Sequence, residues 1–468
     1  MTAATVPDLS VLDTRPQPGE PRTYHFPGAE RGRLRNGAGL IVSNLPGRPL
    51  VTVRVVLEGG ATSEPPERGG VSILASQALT EGTERFTAVE LVEAAERLGA
   101  EVSADAGWDS FGVVLTVPAH RLEQGLDLLV EVLTRPTFPE REVDRLREER
   151  LADLMQVRAD PRRLAELSFG PAIYPPDSPF VRPAAGLEPT VGRLDQAAVA
   201  ERYEEIRDPR LATVIVAGDL EGIDVLSTLD RLCADWSAPT GAARQVAWPQ
   251  LSDPIARTFI RLIDRPGSVQ SELRIGHVGV PRRIPDFYPT IVMSAALGGL
   301  FRSRLQMKLR EEKGYTYGAS ATFEFRRTAG PFAARSAVRT DATAPALVDA
   351  MAELRRIREE PLSAEELDTA RDYLVGVFPL RFETPGAIAG ALAGLVVQRL
   401  PDDELERYRP AVAAVTADEA RAAAEAHIHP DRTAVVVVGD AARVEEELRA
   451  TGIGEVEVVR DAAPAATG

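Results

Sequence analysis

The segment Pro209-Arg-Leu-Ala-Thr-Val-Ile-Val-Ala-Gly-Asp219 is echoed 221 residues later by Pro430-Asp-Arg-Thr-Ala-Val-Val-Val-Val-Gly-Asp440. Each copy opens on proline, runs through consecutive apolar, mostly β-branched residues and closes on Gly-Asp. A short apolar run bounded in this way reads as a buried strand, here Thr213 to Val216 in the first copy. A second pair, Arg141-Glu-Val-Asp-Arg-Leu-Arg147 and Glu365-Glu-Leu-Asp-Thr-Ala-Arg371, lies at an offset of 224. Two long offsets that nearly agree describe a duplicated domain with small insertions, not a short-period solenoid.

Working outward, the two copies carry similar element orders. In the first, Leu50–Glu58 is Val-rich and reads as a strand. Val89–Leu98 has apolar residues at helical spacing, with Gly99 as its stop. Glu101–Val117 reads as a hairpin whose alternation breaks at Gly107-Trp108-Asp109-Ser110, and Leu122–Leu133 and Glu142–Val157 read as helices. The second copy offers a strand at 269–280, a helix at 287–312, strands within 315–338, helices at 344–358 and 363–378, and a final strand at 433–438. Strands mixed with helix pairs, without regular βαβ alternation, predict an α+β fold of two homologous halves whose sheets are packed by helices. The expected division is a loose N-terminal arm at 1–30, a first half at 31–240, a linker at 241–257 and a second half at 258–468. Ser, Pro, Gly and Ala interrupt the pattern at the linker.

Composition narrows the function. A chain of 468 residues exceeds one ordinary core. A net charge of −16 leaves no basic excess to displace phosphate counterions, which argues against nucleic acid; it serves solubility and would suit basic peptides. Cys233 is the only cysteine, so neither an internal disulfide nor a cysteine-based zinc site is possible. The five histidines are His25, His120, His277, His427 and His429, and none has a second histidine at helical i, i+4 spacing. His427-Ile-His429 precedes a proline and reads as a solvated turn. No signal pattern opens the chain, and its longest apolar run, the eleven residues Ala387 to Val397, is too short to cross a bilayer. A cytoplasmic location without a membrane partner is expected.

Residues 70–83 read Gly-Val-Ser-Ile-Leu-Ala-Ser-Gln-Ala-Leu-Thr-Glu-Gly-Thr. This resembles the zinc helix of the pitrilysin/insulinase-type metallopeptidases, the inverzincins, which carry H-x-x-E-H shortly before a Gly-Thr. Further phrases follow the family in order across residues 31–450: Leu34-Arg-Asn-Gly37, Glu64-Pro-Pro-Glu67 and Leu98-Gly-Ala-Glu-Val-Ser103. The resemblance implies two α/β units in each half on mixed, mainly antiparallel sheets, and halves or subunits that close as a clamshell. It sets Ser72, Ala75 and Ser76 at the His, Glu and His positions. Two imidazoles one helical turn apart grip zinc, and the Glu activates its water. A serine hydroxyl is a poor zinc ligand, and an alanine methyl takes no proton. The family's third ligand, counted back eight residues from Pro161, falls on Asp153, with Glu148 and Glu149 close by; the bland reading is an exposed acid on an amphipathic helix. A lone carboxylate does not hold zinc, so no metal is expected in this chain.

In the second half, Leu297-Gly-Gly-Leu-Phe-Arg-Ser-Arg-Leu305 leads into Leu309-Arg-Glu-Glu-Lys-Gly-Tyr-Thr-Tyr-Gly-Ala-Ser320. This resembles the family's substrate-binding segment, whose Arg and Tyr seven residues apart map onto Arg310 and Tyr317. The resemblance implies that the Tyr hydroxyl donates to the oxyanion of the tetrahedral intermediate and that the Arg holds a substrate carbonyl. Arg310 is expected in the last helical turn before Gly314, and Tyr317 on the next strand, sharing a face with Tyr315. The alternative is an Arg310 paired to a nearby Glu and a Tyr317 that fills a strand. Gly298 and Gly299 lack the Lys-Ser/Thr of a phosphate loop, and read as backbone freedom beside a peptide groove or as tight packing.

Emptied zinc positions beside a retained Arg/Tyr pair imply a non-catalytic, substrate-binding subunit. It would resemble the metal-free subunit of the mitochondrial processing peptidase, serving a homologous partner that holds the zinc. The alternative is a non-enzymatic peptide-binding or structural protein on the same scaffold. A serine hydrolase built on Ser72 or Ser76 is disfavoured, because neither lies in a G-x-S-x-G elbow. In isolation the chain is expected to form a homodimer if it pairs at all.

Overall fold

The computed structural model describes residues 22–460, apart from 245, 247 and 250–254, together with residue 19. The front lobe builds one six-stranded sheet from β1 (Glu30–Arg33), β2 (Gly39–Asn44), β3 (Leu50–Glu58), β4 (Glu101–Ala106), β5 (Ser110–Pro118) and β6 (Ala212–Gly218), in the order β1-β2-β6-β3-β5-β4. The rear lobe builds another from β7 (Phe259–Asp264), β8 (Gln270–Val278), β9 (Thr316–Phe323), β10 (Pro331–Arg339), β11 (Ala434–Gly439) and β12 (Glu455–Arg460), in the order β12-β7-β11-β8-β10-β9. The echoed segments are β6 and β11. Each lies parallel to the strand on one side and antiparallel to the strand on the other. Five consecutive positions of the two orders correspond, β2-β6-β3-β5-β4 with β7-β11-β8-β10-β9, which is the duplication in three dimensions. Each lobe carries one mixed, mainly antiparallel sheet packed by helices, as the α+β reading expects.

The apolar strands are buried on both faces, and the helices that cover them are exchanged. In β6, Val214 and Val216 pack into the front core with Val53, Leu57 and Leu129, whereas Ile215 and Ala217 face Ile388, Ala389 and Leu392. Those three belong to the helix Pro385–Gln398, from the second half of the sequence. Reciprocally, Val436 and Val438 of β11 meet Leu164, Ala165 and Phe169 of the helix Pro161–Ile173, from the first half. Pro161 and Pro385 stand 224 residues apart, the offset of the second sequence repeat. Neither sheet is closed by its own half, because a strand with apolar side chains on both faces needs a second layer. The eleven-residue apolar run is thus this exchanged cover helix. Among the described residues no single helix is long and apolar enough to cross a membrane.

Other expectations need correcting. The helix expected at 287–312 is broken: an α-helix over Phe287–Ser294 widens into a π-helical turn over Ala295–Gly299, and helical structure resumes at Arg304. The strand near 433–438 is not the last, since a helix (Ala441–Ala450) and β12 follow. The described end of the N-terminal arm is docked, not loose. Tyr24 and Phe26 meet Phe378 and Phe382 edge-on, and the Phe26 N–H donates to Glu406. The remainder of the arm and part of the 241–257 linker lie outside the described residues.

Candidate functional site

The helix Val71–Ala78 carries Ser72, Ala75 and Ser76, and all three face inward. Ser72 and Ala75 are fully buried and Ser76 nearly so. The Ser76 hydroxyl donates to the Ile73 carbonyl at 2.8 Å. The Ser72 hydroxyl accepts from Arg202 Nε at 3.0 Å. Arg202, on the helix Gln196–Ile206, is itself 1% exposed, and it also donates to the Gly60 carbonyl and the Ser63 hydroxyl while pairing with Glu205. At the start of the Val71–Ala78 helix, the backbone N–H groups of Gly70 and Ser72 donate to the Glu64 carboxylate, and Arg182 pairs with the same carboxylate at 2.8 Å. A carboxylate suits the unpaired N–H groups and positive end of a helix, and a buried carboxylate needs a counter-cation. A network of two arginines and one glutamate therefore fills the polar space next to the helix. These residues do not fit zinc. Ser72 is not an activated nucleophile either, because its partner is a cation and not a base.

Asp153 lies on the helix Glu140–Ala159 and is held by Arg163 at 2.6 Å and by Arg150. The Arg163 bond is the main force holding its carboxyl below the ordinary carboxylate range, with Arg150 adding to it. Glu149 pairs with Arg145, and Glu148 meets Arg147. Among the described residues no three His, Cys, Asp or Glu side chains gather as a metal-binding group. The His427/His429 turn is not freely solvated: His427 Nε2 lies 2.7 Å from Asp286, and the His429 N–H donates to His277 Nε2.

The rear lobe has a different character. Gly314, at φ +60°, ends the helical segment, and its N–H donates to the Arg310 carbonyl. The Arg310 guanidinium lies over the Phe301 ring, 4.7 Å from its centroid, and reaches Glu311 at 3.4 Å. Tyr317, on β9, is 91% exposed. Tyr315, in the turn before β9, packs against the rear core instead, so the two tyrosines do not share a face. Gly298 and Gly299 line a cavity of about 820 Å³ with Phe301, Gln306 and residues 318–320 of β9. Gly298 is there for close packing, since a Cβ would sit 2.1 Å from the Ala321 nitrogen. Phe301, on which Arg310 rests, and Gly318, the chain neighbour of Tyr317, line this cavity, whereas Arg310 and Tyr317 themselves do not. Its far wall comes from the exchanged helix Pro161–Ile173. Sequence reasoning missed Arg202 and Arg182, since a single arginine on a helix or loop carries no pattern. Of the network, only Glu64 stood in a phrase that could be read.

Comparison with known proteins agrees with this architecture. The model of the insulinase (peptidase M16) family matches residues 40–169, and that of the peptidase M16 inactive domain matches residues 193–374. The chain belongs to the M16, or insulinase, peptidase family. It is 24% identical over 344 residues to a Helicobacter pylori protein named non-peptidase homolog YmxG, covering 72% of this chain and 76% of that one. It is likewise 24% identical over 400 residues to an uncharacterized zinc protease of Streptomyces coelicolor, covering 84% and 86%. A solved structure, a peptidase M16 inactive domain from Pseudomonas fluorescens, superposes with a TM-score of 0.80 at 24% identity, covering 88% of this chain and 98% of that one. A Helicobacter pylori protease superposes with a TM-score of 0.79 at 18% identity, covering 89% and 100%.

Proposed function

We propose that this chain, a non-catalytic member of the M16 family, is the substrate-binding subunit of a two-chain metallopeptidase. The partner is a homologous subunit that holds zinc; this chain supplies Arg310 and Tyr317. The observation that carries the reading is an asymmetry between the lobes. The positions that match the family's metal ligands in the front lobe are buried, Ser72 against Arg202, while the rear lobe leaves a tyrosine 91% exposed on an edge strand and a guanidinium resting on an exposed ring. Burying a tyrosine ring stabilises a fold and exposing it does not. Tyr317 therefore gives this chain alone little stability, as expected of a group meant for a second molecule.

The chemistry follows from what these side chains donate. Arg310 offers a fixed fork of N–H groups to a peptide carbonyl, and the Tyr317 hydroxyl offers one donor to an oxygen gaining negative charge. A peptide would lie extended against β9, adding backbone bonds to the free edge of the rear sheet. The test is reconstitution. The purified chain should cleave no peptide library. Mixed with a zinc-bearing homologue from the same organism, it should yield chelator-sensitive cleavage absent from either protein alone. A homologue fully active by itself, and unchanged on mixing, would overturn the proposal.

A further inference from the structure

The cavity lined by Phe301 and Gly318 has a sign of its own. Its lining includes four arginines, Arg162, Arg163, Arg274 and Arg335, against two carboxylates, Glu166 and Glu272. Both carboxylates are already engaged. Glu166 accepts from Arg274 at 2.9 Å and from Arg335 at 3.1 Å, and Glu272 accepts from Arg274 at 3.1 Å. Arg163 leans on Asp153, which also serves Arg150. The exposed guanidinium of Arg162 has no ion-pair partner among the described residues. Four guanidinium groups against two carboxylates leave the cavity locally positive in a chain of net charge −16. A cleft with low-dielectric walls focuses such a field.

The rest of the lining suits a polypeptide. Gly318, Ala319 and Ser320 belong to the edge strand β9, and Gly298 and Gly299 lie near them; these small residues leave room for a backbone beside that edge, with Leu300, Phe301 and Gln306 completing the wall. Gln306 already satisfies the Ala319 N–H at 2.7 Å, and an incoming strand would displace or extend this bond.

We infer that the cavity selects peptides rich in acidic side chains, held extended along β9 with their carboxylates facing Arg162, Arg163 and Arg335. The inference rests on the proposed peptide-binding role and supplies its substrate class. It differs from the basic peptides that the net charge alone would suit: the arginines face the cavity while the acidic excess lies elsewhere. Arg162 and Arg163 become specificity determinants contributed by a front-lobe helix to a rear-lobe groove.

Fluorescence anisotropy on the full chain tests this, using labelled peptides of equal length that alternate Thr with Glu, Gln or Lys. At low salt the Glu peptide should bind at least about fivefold tighter than the Gln peptide, and the Lys peptide weakest, with the spread shrinking as salt rises. Arg162→Glu, at an exposed position, should remove most of the preference, and Arg162→Gln part of it. Arg97→Glu makes the same charge change on the front-lobe helix Ala88–Leu98 and should leave the preference intact. Equal binding of the three peptides, a preference for Lys, or equal effects of Arg162→Glu and Arg97→Glu would overturn the inference. If charge makes no difference while Tyr317→Phe still slows the reconstituted peptidase, the inference fails and the proposed function stands. If no peptide binds and Tyr317→Phe is silent, both fail.

Discussion

Replacing Arg202 with methionine asks whether the closed metal positions are held by the arginine network. Methionine keeps much of the apolar stem and removes every donor. The Gly60 carbonyl stays satisfied, because the Ser63 hydroxyl already donates to it at 3.1 Å. Glu205, with 37% of its side chain exposed, regains water cheaply. Ser72, fully buried, loses the guanidinium its hydroxyl accepts from, and the head group leaves a void. An unpaired buried polar group costs about 1–3 kcal/mol, and a void of that size about 1–2 kcal/mol. Relief of Arg244 offsets part of this, since its pKa is lowered first by burial and then by the Arg202 charge. The net expectation is a loss of about 2–4 kcal/mol. For a cooperative unit the size of the front lobe this is a fall in Tm of about 4–16 °C. Urea unfolding gives the free energy and differential scanning fluorimetry the Tm. Adding Ser72→Ala should return about 1 kcal/mol by removing the orphaned hydroxyl. A loss below about 1 kcal/mol, or no recovery in the double variant, would refute the reasoning.

Three further outcomes are expected. Leu392→Ala, on the exchanged helix, should cost about 2–5 kcal/mol; hydrogen exchange should show the lost protection in β2, β3 and β6 of the front lobe, although residue 392 is encoded in the second half. Burial raises the Asp109 carboxyl to about 6 from 3.8, against the charge of Arg326 and the bond from Thr62. The folded state therefore holds this proton more tightly than the unfolded state; its contribution is fully present below about pH 4 and is lost as pH rises through about 6, a change of about 3 kcal/mol. The stability of Asp109→Asn relative to the parent should accordingly grow from pH 4 to pH 7, read from urea midpoints, and a flat difference would contradict the shift. Arg310→Lys in the reconstituted pair should raise KM more than it lowers kcat, because a lysine keeps the charge but loses the fork and the stacking on Phe301.

The repeated Pro…Gly-Asp segment disclosed the duplication because a strand buried on both faces must be apolar throughout, and such a run stands out. Gly99, the strand Leu50–Glu58 and the hairpin break at residues 107–110 were legible for similar local reasons. The exchange of cover helices was not, since periodicity shows that a helix has an apolar face but not which sheet it meets. The break after Ser294 escaped because the sequence stays helix-compatible there, and tertiary packing of Gly298 on Ala321 decides the path. At the candidate site, the sequence shows serine, alanine and serine at Ser72, Ala75 and Ser76, where the resemblance expects metal ligands. Their replacement by Arg202, Arg182 and Glu64 depends on long-range contacts that no spacing encodes.

The proposed role rests most directly on the Tyr317 hydroxyl, which has no hydrogen-bond partner within the chain among the described residues. Measured in the reconstituted two-chain peptidase, Tyr317→Phe should lower kcat by roughly 10²–10³-fold, with KM little changed and the complex intact by size-exclusion chromatography. An unchanged kcat in an intact complex would contradict the account.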